Sequence, residues 1–386
     1  MSFGINHLSP VLFGEGASLE TGKKLKELGC TSVLCVYDKG VKSAGLTEAV
    51  IDSIKKEGIK VCVFEGVKAD PPDDTIEEAA GIGKREKVDG IVAIGGGSSM
   101  DTAKAVNILL TNPSPITQYL TAGEAKQPVP GKVLVLLPTT SGTGSEVTPV
   151  SVITNTKTGY KGGISHKACR ATLAIVDPVL TRGMPPSITA DTGMDAFAHA
   201  AESMTSGATN QMSDILGENA VKLICKYLPR AVKDGSDMEA RSNLAFSATI
   251  AGFAFADALP HYGHAIGHTL GALHHIPHGN ACGIALPEVM EYVSDAVPEK
   301  VKHVGEAMGL DMSGVKTPVE IGKKVADGIR ELNKKIGLKT LKEHNIKESA
   351  FDAIAEKTLT DDTAGFGPKT ACKEDILKML KKAYSR

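Results

Sequence analysis

The arrangement of apolar runs changes near the middle of the chain, and this change limits the folds available to it. Up to about residue 182, short apolar runs alternate with segments of helical periodicity. The predicted strands are residues 32–37, 60–64, 90–94, 132–137 and 172–176. Strands separated by helices predict a parallel sheet with helices on its faces, and nearly continuous apolar strands fit burial on both sides.

Beyond residues 180–186 the strand-like runs cease, and helical segments follow one another to the C-terminus. The predicted helices cover about 188–205, 209–228, 237–256, 260–272, 279–293, 298–308 and 316–335. With 386 residues, two domains are expected. The predicted fold class is α/β plus all-α, with a parallel-sheet domain over residues 1–182 and an all-helical domain over residues 183–386.

Charge and cysteine content exclude several classes of function. The net charge is −2 with no long basic or acidic block, which argues against nucleic acid or an anionic membrane as a partner. No signal peptide and no apolar stretch near the roughly 18 residues of a membrane span is visible, so a cytoplasmic protein is expected. The seven scattered cysteines, without Cys-x-x-Cys, predict neither a disulfide framework nor a zinc knuckle.

Histidines cluster in the second half of the chain. Six of the eleven fall between residues 261 and 278, and neutral imidazole is a common ligand of transition metals. His264 and His268 are four residues apart, so they share one face of a helix. Asp195 and His199 have the same spacing. Two helices that each offer a pair of ligands in this way can close a metal site between them.

The strongest set of candidate ligands contains one carboxylate and three imidazoles: Asp195, His199, His264 and His278. This donor set suits a divalent first-row metal such as Fe²⁺ or Zn²⁺, and the sequence does not choose between them. His268 is an alternative ligand, but its preferred role is a hydrogen bond to the substrate oxygen or a proton relay to water.

A glycine-rich turn in the first half is the candidate phosphate site. Gly95-Gly96-Gly97-Ser98-Ser99 lies between a predicted strand and a predicted helix. Glycines allow a ligand to approach the backbone, and a helix start offers unpaired N–H groups and a positive dipole end. The segment matches neither Gly-x-Gly-x-x-Gly nor a Walker loop. A tight turn without a ligand is the alternative interpretation.

Two further segments, one at Asp38 and one at residues 139–143, are consistent with nucleotide binding. Asp38 ends a predicted strand, where a carboxylate accepts from a ribose hydroxyl and repels a 2′-phosphate, favouring NAD over NADP. An ordinary loop aspartate explains it equally well. Thr139, Thr140 and Thr143 form a hydroxyl-rich turn for phosphate or nicotinamide, but helix capping near Ser145 is an equal alternative.

Four motifs occur together and in a fixed order. They are Gly-Gly-Gly-Ser-Ser-Met-Asp-x-Ala-Lys at 95–104, Pro-Thr-Thr-Ser-Gly-Thr-Gly-Ser-Glu at 138–146, the Asp195/His199 pair, and Gly-His-x-x-Gly-His-x-x-Gly-(x)6-His-Gly at 263–279. In this combination the chain resembles the iron-containing, or group III, alcohol dehydrogenase family over almost its whole length.

The resemblance implies a Rossmann-like N-terminal domain and a helical C-terminal domain, as in the dehydroquinate synthase-like fold, with the active site between them. It implies NAD(H), a divalent metal and a homodimer. It assigns the four metal ligands named above and places His268 near the substrate. Gly96, Gly97, Ser98 and Ser99 would hold the diphosphate, and the three threonines would flank nicotinamide and phosphates. It adds Asp70 and Lys161 on the cofactor side, and Asp101 and Lys104 as support for the glycine turn.

The expected function is metal-dependent, NAD(H)-linked hydride transfer between nicotinamide C4 and a short-chain alcohol or aldehyde bound to the metal. One alternative is a reductase of a small anionic aldehyde, sulfonated or carboxylated. An alternative from another class is a dehydroquinate synthase-like lyase. Such an enzyme needs a pocket dense in Lys and Arg, whereas segments 188–205 and 255–280, which carry the predicted ligands, contain neither. A non-catalytic metal- or nucleotide-binding protein is the third class.

Overall fold

The computed structural model describes residues 9–121 and 124–385, which form two compact units divided between Gly183 and Met184. The described part of the first unit contains eight strands. They are β1 (Val11–Phe13), β2 (Ser32–Val36), β3 (Lys60–Phe64), β4 (Gly90–Gly95), β5 (Val133–Pro138), β6 (Val150–Thr154), β7 (Lys161–Ser165) and β8 (Leu173–Val176). Six of them form one sheet in the order β1-β8-β5-β4-β2-β3. All its pairs are parallel, so the predicted parallel sheet is confirmed.

The strand order of this sheet reverses between β2 and β4. From β2 the chain moves outward to β3 and then crosses back, so that β4 pairs with the other side of β2. In open parallel sheets, ligands bind at the carboxyl ends of the strands flanking such a reversal. Here Asp38 follows β2, and the glycine turn follows β4.

The helices of the first unit cover both faces of the sheet. Strands β4 and β5 are therefore buried on both sides, against two separate apolar clusters. The helices are α1 (Thr21–Glu27), α2 (Lys39–Ser43), α3 (Glu48–Lys56), α4 (Asp73–Arg85) and α5 (Gly97–Leu109). Helices α2 and α3 are separate because Gly45, between them, adopts a left-handed conformation with φ 71°.

The sequence-based prediction missed two features of the first unit. Strand β1 has only three residues and lies at the sheet edge beside β8. Strands β6 and β7 form a separate antiparallel hairpin. The alternating burial of Val150–Thr154 is the pattern that a half-buried strand produces, and Gly159 with φ 69° lies in the connecting turn.

The second unit contains helices and no strand among its described residues. Its helices are α6 (Pro186–Thr205), α7 (Gln211–Lys233), α8 (Met238–Ala258), α9 (Tyr262–His274), α10 (His278–Val293), α11 (Pro298–Ala307), α12 (Pro318–Ile336), α13 (Phe351–Thr358) and α14 (Lys373–Tyr384). In the part of the chain that the structure covers, no single helix is long and apolar enough to cross a membrane; α8 and α9 pass only as a pair bent by 106°.

Helix α6 lies at the centre of this unit and is buried over most of its length. Alanines at 196, 198, 200 and 201 leave room for neighbouring helices on several sides. Helices α7, α8 and α10 all pack against α6. A polar side chain on α6 therefore lies in the protein interior, where it needs a partner.

Candidate metal centre and nucleotide-binding turn

Three helices of the second unit bring the predicted ligands Asp195, His264 and His278 together with Cys282. One ligand atom of each of these four residues lies within 4.8 Å of the others, and His199 is not part of this group. Helix α6 carries Asp195 and His199 one turn apart, α9 carries His264, and α10 begins at His278. Asp195 Oδ1 lies 3.3 Å from His278 Nε2, 3.7 Å from His264 Nε2 and 3.8 Å from His199 Nδ1. Four ligands about 2.1 Å from a tetrahedral zinc lie roughly 3.4 Å apart. The group of Asp195, His264, His278 and Cys282 therefore fits a shared cation, and His199 adjoins this group beside Asp195.

The hydrogen-bonding state of these atoms also fits a cation. Asp195 Oδ1, His199 Nδ1 and His264 Nε2 are buried and have no hydrogen-bond partner among the described residues. Buried polar atoms without partners are rare and costly. A divalent ion held by Asp195 Oδ1 and His264 Nε2 would satisfy both of these atoms at once, and the residues present therefore fit such an ion.

Glycines allow the three helices to approach closely enough for this convergence. A Cβ on Gly279 would lie 1.8 Å from the Asp191 carbonyl oxygen on α6, and one on Gly267 would lie 2.7 Å from Cys282 Sγ on α10. A Cβ on Gly263 would lie 2.9 Å from Glu202 Oε1. These contacts give a structural reason for glycine at these positions of the Gly-His and His-Gly motifs.

The electrostatics of the cluster favour one negative charge facing several imidazoles. Burial raises the pKa of Asp195, but His199 and His278 outweigh burial and hold this pKa well below its ordinary value. Burial lowers the pKa of His199 to about 3, which leaves its ring neutral and able to ligate. Burial also lowers the pKa of His264, but contacts with Asp195 and Glu202 outweigh it and raise the pKa to about 9. A cation bound at His264 Nε2 would replace the proton that this raised pKa favours.

The cluster is closed on one side and open on the other. The side chains of His264 and Asp195 are 2% and 5% exposed, whereas that of His278 is 39% exposed. His268 stacks on His278 with ring centroids 5.2 Å apart, and its side chain is 35% exposed. His268 Nδ1 lies 2.9 Å from Asp361 Oδ2, so the carboxylate orients the ring beside the open face.

Four residues that the sequence analysis did not assign to the site contact the cluster. Cys282 Sγ is 3.8 Å from His278 Nε2, and Phe255 stacks on the His199 ring at 4.0 Å. Glu202 contacts His264, and Asp361 contacts His268 beside the cluster. Helical spacing points to Cys282, four residues after His278, and to Glu202, three residues after His199. Phe255 and Asp361 come from distant segments, so no local pattern indicates them.

The glycine turn of the first unit lies where β4 ends and α5 begins. Gly96 is the N-cap of α5 and Gly97 is its first residue. Gly95 has φ 158°, and a Cβ on it would lie 2.3 Å from Ser99 Oγ. A Cβ on Gly97 would lie 2.9 Å from Thr143 Cγ2. The first N–H groups of a helix lack intrahelical partners, so this turn suits an anionic ligand.

The hydroxyl-rich turn after β5 lies beside the glycine turn. The Thr139 N–H donates to the Gly95 carbonyl oxygen at 3.0 Å, and a Cβ on Gly96 would contact the Thr140 side chain. Thr143 Oγ1 accepts from the Ser145 N–H at 3.2 Å. The helical turn Ser145–Val147 begins after Gly144 and has no side-chain cap. The two turns thus form one continuous surface at the carboxyl ends of β4 and β5.

Asp101 and Lys104 anchor the segment after this turn. The Asp101 carboxylate accepts from Ser145 Oγ at 2.7 Å and from the Val152 N–H at 3.0 Å. The Lys104 ammonium is fully buried and donates to Ser145 Oγ at 2.8 Å and to the Val150 carbonyl at 2.6 Å. Both side chains are used within the protein, which agrees with the supporting role expected for them.

The remaining predicted cofactor residues lie at the surface of the first unit. Asp38 is half-buried, and its Oδ1 accepts from the Val41 N–H at 2.9 Å, which caps α2. Asp70 and Lys161 form an exposed ion pair of 2.6 Å. The structure brings these two residues together, and contact with a cofactor stays a prediction for all three.

Comparison with known proteins agrees with both units. The family model "Iron-containing alcohol dehydrogenase" matches residues 9–178, and "Fe-containing alcohol dehydrogenase family, C-terminal" matches residues 189–384. The chain is 35% identical to 1,3-propanediol dehydrogenase of Klebsiella pneumoniae, covering 96% of each chain. It is 33% identical to NAD-dependent methanol dehydrogenase of Bacillus methanolicus, covering 96% of this chain and 97% of the other.

A solved structure of sulfoacetaldehyde reductase from Bifidobacterium kashiwanohense in complex with NAD⁺ has a TM-score of 0.91 and 31% identity, covering 100% and 99% of the two chains. These matches, with the fold, define a metal-dependent oxidoreductase that uses NAD(H). The chain belongs to the iron-containing alcohol dehydrogenase family. The predicted family, fold class, enzyme class and cofactors are thereby confirmed.

Proposed function

We propose that this chain reduces small, uncharged aldehydes with NADH, and oxidises the corresponding alcohols with NAD⁺, at the cluster of Asp195, His199, His264 and His278. The observation that carries the proposal is the convergence of buried, unpartnered ligand atoms around Asp195 Oδ1. A divalent cation held there supplies Lewis-acid polarisation of the carbonyl, and the nicotinamide supplies the hydride.

The cofactor is proposed to bind at the glycine turn. Gly96, Gly97, Ser98 and Ser99 offer the start of α5 to the diphosphate. Thr139, Thr140 and Thr143 lie on the adjoining turn for phosphate and nicotinamide, Asp38 lies beyond β2 for the ribose, and Asp70 and Lys161 complete the proposed set. The position of Asp38 and the glycine turn on either side of the strand reversal supports this assignment.

His268 is the proposed catalytic histidine. Its side chain is partly exposed beside His278, the most open member of the cluster. Because a carboxylate only accepts hydrogen bonds, the contact with Asp361 places a proton on Nδ1 of His268 and leaves Nε2 free. An imidazole held in this way can exchange a proton with a substrate oxygen or with water.

The preference for uncharged substrates rests on the charges around the cluster. Segments 188–205 and 255–280, which carry the ligands and His268, contain no Lys or Arg. An anionic aldehyde or the substrate of a dehydroquinate synthase-like lyase needs a cationic side chain to offset its charge. A reductase of anionic aldehydes is the second candidate, because the sulfoacetaldehyde reductase has the same fold at 31% identity.

The test is an NADH-oxidation screen of metal-depleted protein reloaded with Fe²⁺ or with Zn²⁺. Short neutral aldehydes and matched sulfonated or carboxylated aldehydes are compared by kcat/KM. We expect activity only after reloading, with the neutral aldehydes the better substrates. Equal activity before and after reloading would exclude the metal role. A preference for the anionic series would favour the second candidate, and product formation without net NADH consumption would favour a lyase.

Three further assignments belong to the same proposal. The unit before residue 183 is proposed to bind the dinucleotide, and the unit from residue 183 onward is proposed to hold the metal and carry out catalysis. A cytoplasmic location is supported by seven cysteines that all carry free thiols, since disulfides are rare in reducing compartments. A homodimer is proposed from the family resemblance, and light scattering on the purified protein tests it. The net charge of −2 without a long basic block supports the absence of a nucleic-acid or membrane partner.

A further inference from the structure

Glu202 is a buried carboxylate directly behind the metal cluster. It is 0% exposed and lies on α6, two turns after Asp195. Its two oxygens receive the main-chain N–H groups of Gly263 at 2.6 Å and His264 at 3.1 Å. The same carboxylate lies 2.5 Å from His264 Nδ1 and 3.1 Å from His261 Nδ1.

These contacts fix both the position and the orientation of the His264 ring. Because the carboxylate only accepts hydrogen bonds, Nδ1 of His264 is the donor. Nε2 is then the atom that faces the cluster, 3.7 Å from Asp195 Oδ1. Hydrogen bonds from the non-ligating nitrogen of a histidine to a carboxylate are a recurrent way of orienting metal ligands.

The start of α9 is shaped around this carboxylate. Gly263 leaves space for it, since a Cβ there would lie 2.9 to 3.1 Å from the Glu202 carboxylate atoms. On the far side, His261 is fully buried and its Nε2 lies 2.9 Å from Thr205 Oγ1. His261 therefore belongs to the support of the cluster and does not face its open side.

We propose that Glu202 is a positioning residue that holds His264 with Nε2 turned toward the bound cation. This inference rests on the proposed metal site and adds the residue that orients one of its ligands. Two carboxylates, Asp195 and Glu202, then balance the two positive charges of the divalent ion. Segment 188–205, which carries both, contains no Lys or Arg. Removing Glu202 lowers metal affinity through both orientation and charge.

A glutamine at position 202 has nearly the shape of glutamate, but it cannot accept hydrogen bonds from all the N–H groups that Glu202 binds. The carboxylate has two acceptor oxygens for the donors of the α9 start, whereas an amide has one oxygen and an NH₂ group that is itself a donor. The NH₂ group would face at least one of these N–H groups, which displaces the ring or the main chain of residues 263–264. Loss of such a supporting contact typically costs about 10–100-fold in metal affinity.

The experiment titrates metal-depleted protein with Co²⁺, followed by visible absorption, and with Zn²⁺ in competition with a chromophoric chelator. For Glu202→Gln we expect a metal Kd raised about 10–100-fold and an altered Co²⁺ spectrum. The matched control is Glu288→Gln on α10, which removes another buried carboxylate, paired with Arg330 at 2.6 Å. This control is expected to keep the wild-type Kd.

Circular dichroism of the metal-free proteins verifies that each variant is folded. If Glu202→Gln does not fold, Glu202→Asp keeps the charge but withdraws it from His264, and it is expected to raise Kd by a smaller factor. A wild-type Kd in either folded variant overturns the proposal, and so does an equal loss in Glu288→Gln. Failure of wild-type protein to bind Co²⁺ or Zn²⁺ would instead refute the proposed metal site itself.

Discussion

The two units both place glycine at their proposed sites, but the glycines serve different ends. In the helical unit, Gly263 and Gly279 let one helix touch another, so charged and imidazole side chains meet in the interior. In the α/β unit, Gly97 adjoins Thr143 at the end of the sheet, where the first main-chain N–H groups of α5 are proposed to bind the cofactor. The site of the helical unit therefore depends on particular side chains, whereas the site of the α/β unit depends on the space that glycine leaves where other residues have a side chain.

The largest effect is expected from Asp195→Ala, because all three imidazoles face this carboxylate. Loss of a Lewis acid worth several kcal/mol lowers kcat/KM by at least about a thousandfold. Bound metal falls to background by elemental analysis, while NADH binding, followed by fluorescence, stays within about twofold because the turn is a separate structure. Retention of both metal and turnover would show that the cluster is not the metal site.

A smaller effect is expected from His268→Ala. Loss of a proton-transfer group lowers kcat by about a hundredfold. Metal content stays unchanged, since His268 contacts Asp361 and stacks on His278 but is not one of the four proposed ligands. The matched control is His274→Ala on the same helix, which keeps wild-type kcat. Loss of metal in His268→Ala would make His268 a ligand.

For the turn, the sharpest test adds a single carbon. Gly97→Ala places a Cβ about 2.9 Å from Thr143 Cγ2, and the shift that follows raises the KM for NADH by about tenfold, with metal content unchanged. Thr143→Ser removes the opposing methyl group and is expected to restore part of the loss in the double variant. Gly81→Ala, where the new carbon meets open space, serves as the control. An unchanged KM in Gly97→Ala would contradict binding at this turn.

The smallest effect concerns the choice between NADH and NADPH. Unit charges 5 Å apart in water-like surroundings repel by about 0.8 kcal/mol, so Asp38→Asn should raise NADPH use relative to NADH by about fourfold. Asparagine keeps an oxygen for the cap that Asp38 forms with Val41, whereas Asp38→Gly loses it. An unchanged ratio of kcat/KM values in both variants would remove Asp38 from the cofactor site.

The elements that sequence reasoning predicted well are those whose pattern is local. The parallel strands and the long helices of the second unit carry their own apolar periodicity, and the 195/199 and 264/268 pairs follow from helical geometry. The hairpin over residues 150–165 was missed although Val150–Thr154 alternates, because its partner Lys161–Ser165 is glycine-rich and polar. Only the pairing between them reveals the strands.

The parts of the site that could not be predicted depend on contacts between distant segments. Asp361 reaches His268 across 93 positions, and the contact of Glu202 with His264 spans 62. Helical spacing places Glu202 near His199 but does not indicate its contact with His264, and no local pattern marks Asp361. The family, the fold and the dependence on NAD(H) and a metal are confirmed, whereas the ligand set and the cofactor contacts stay predictions until the variants are measured.

The tight packing at Gly279 has a consequence for how the enzyme acquires its ion. With the Asp191 carbonyl against α10, the first turn of that helix has little freedom to move, and the donor atoms are held in place before any ion arrives. Little chain ordering then accompanies uptake, so stripped protein should recover simply on standing with the ion, without a refolding step. A calorimetric trace of reloading should accordingly show no large heat-capacity change.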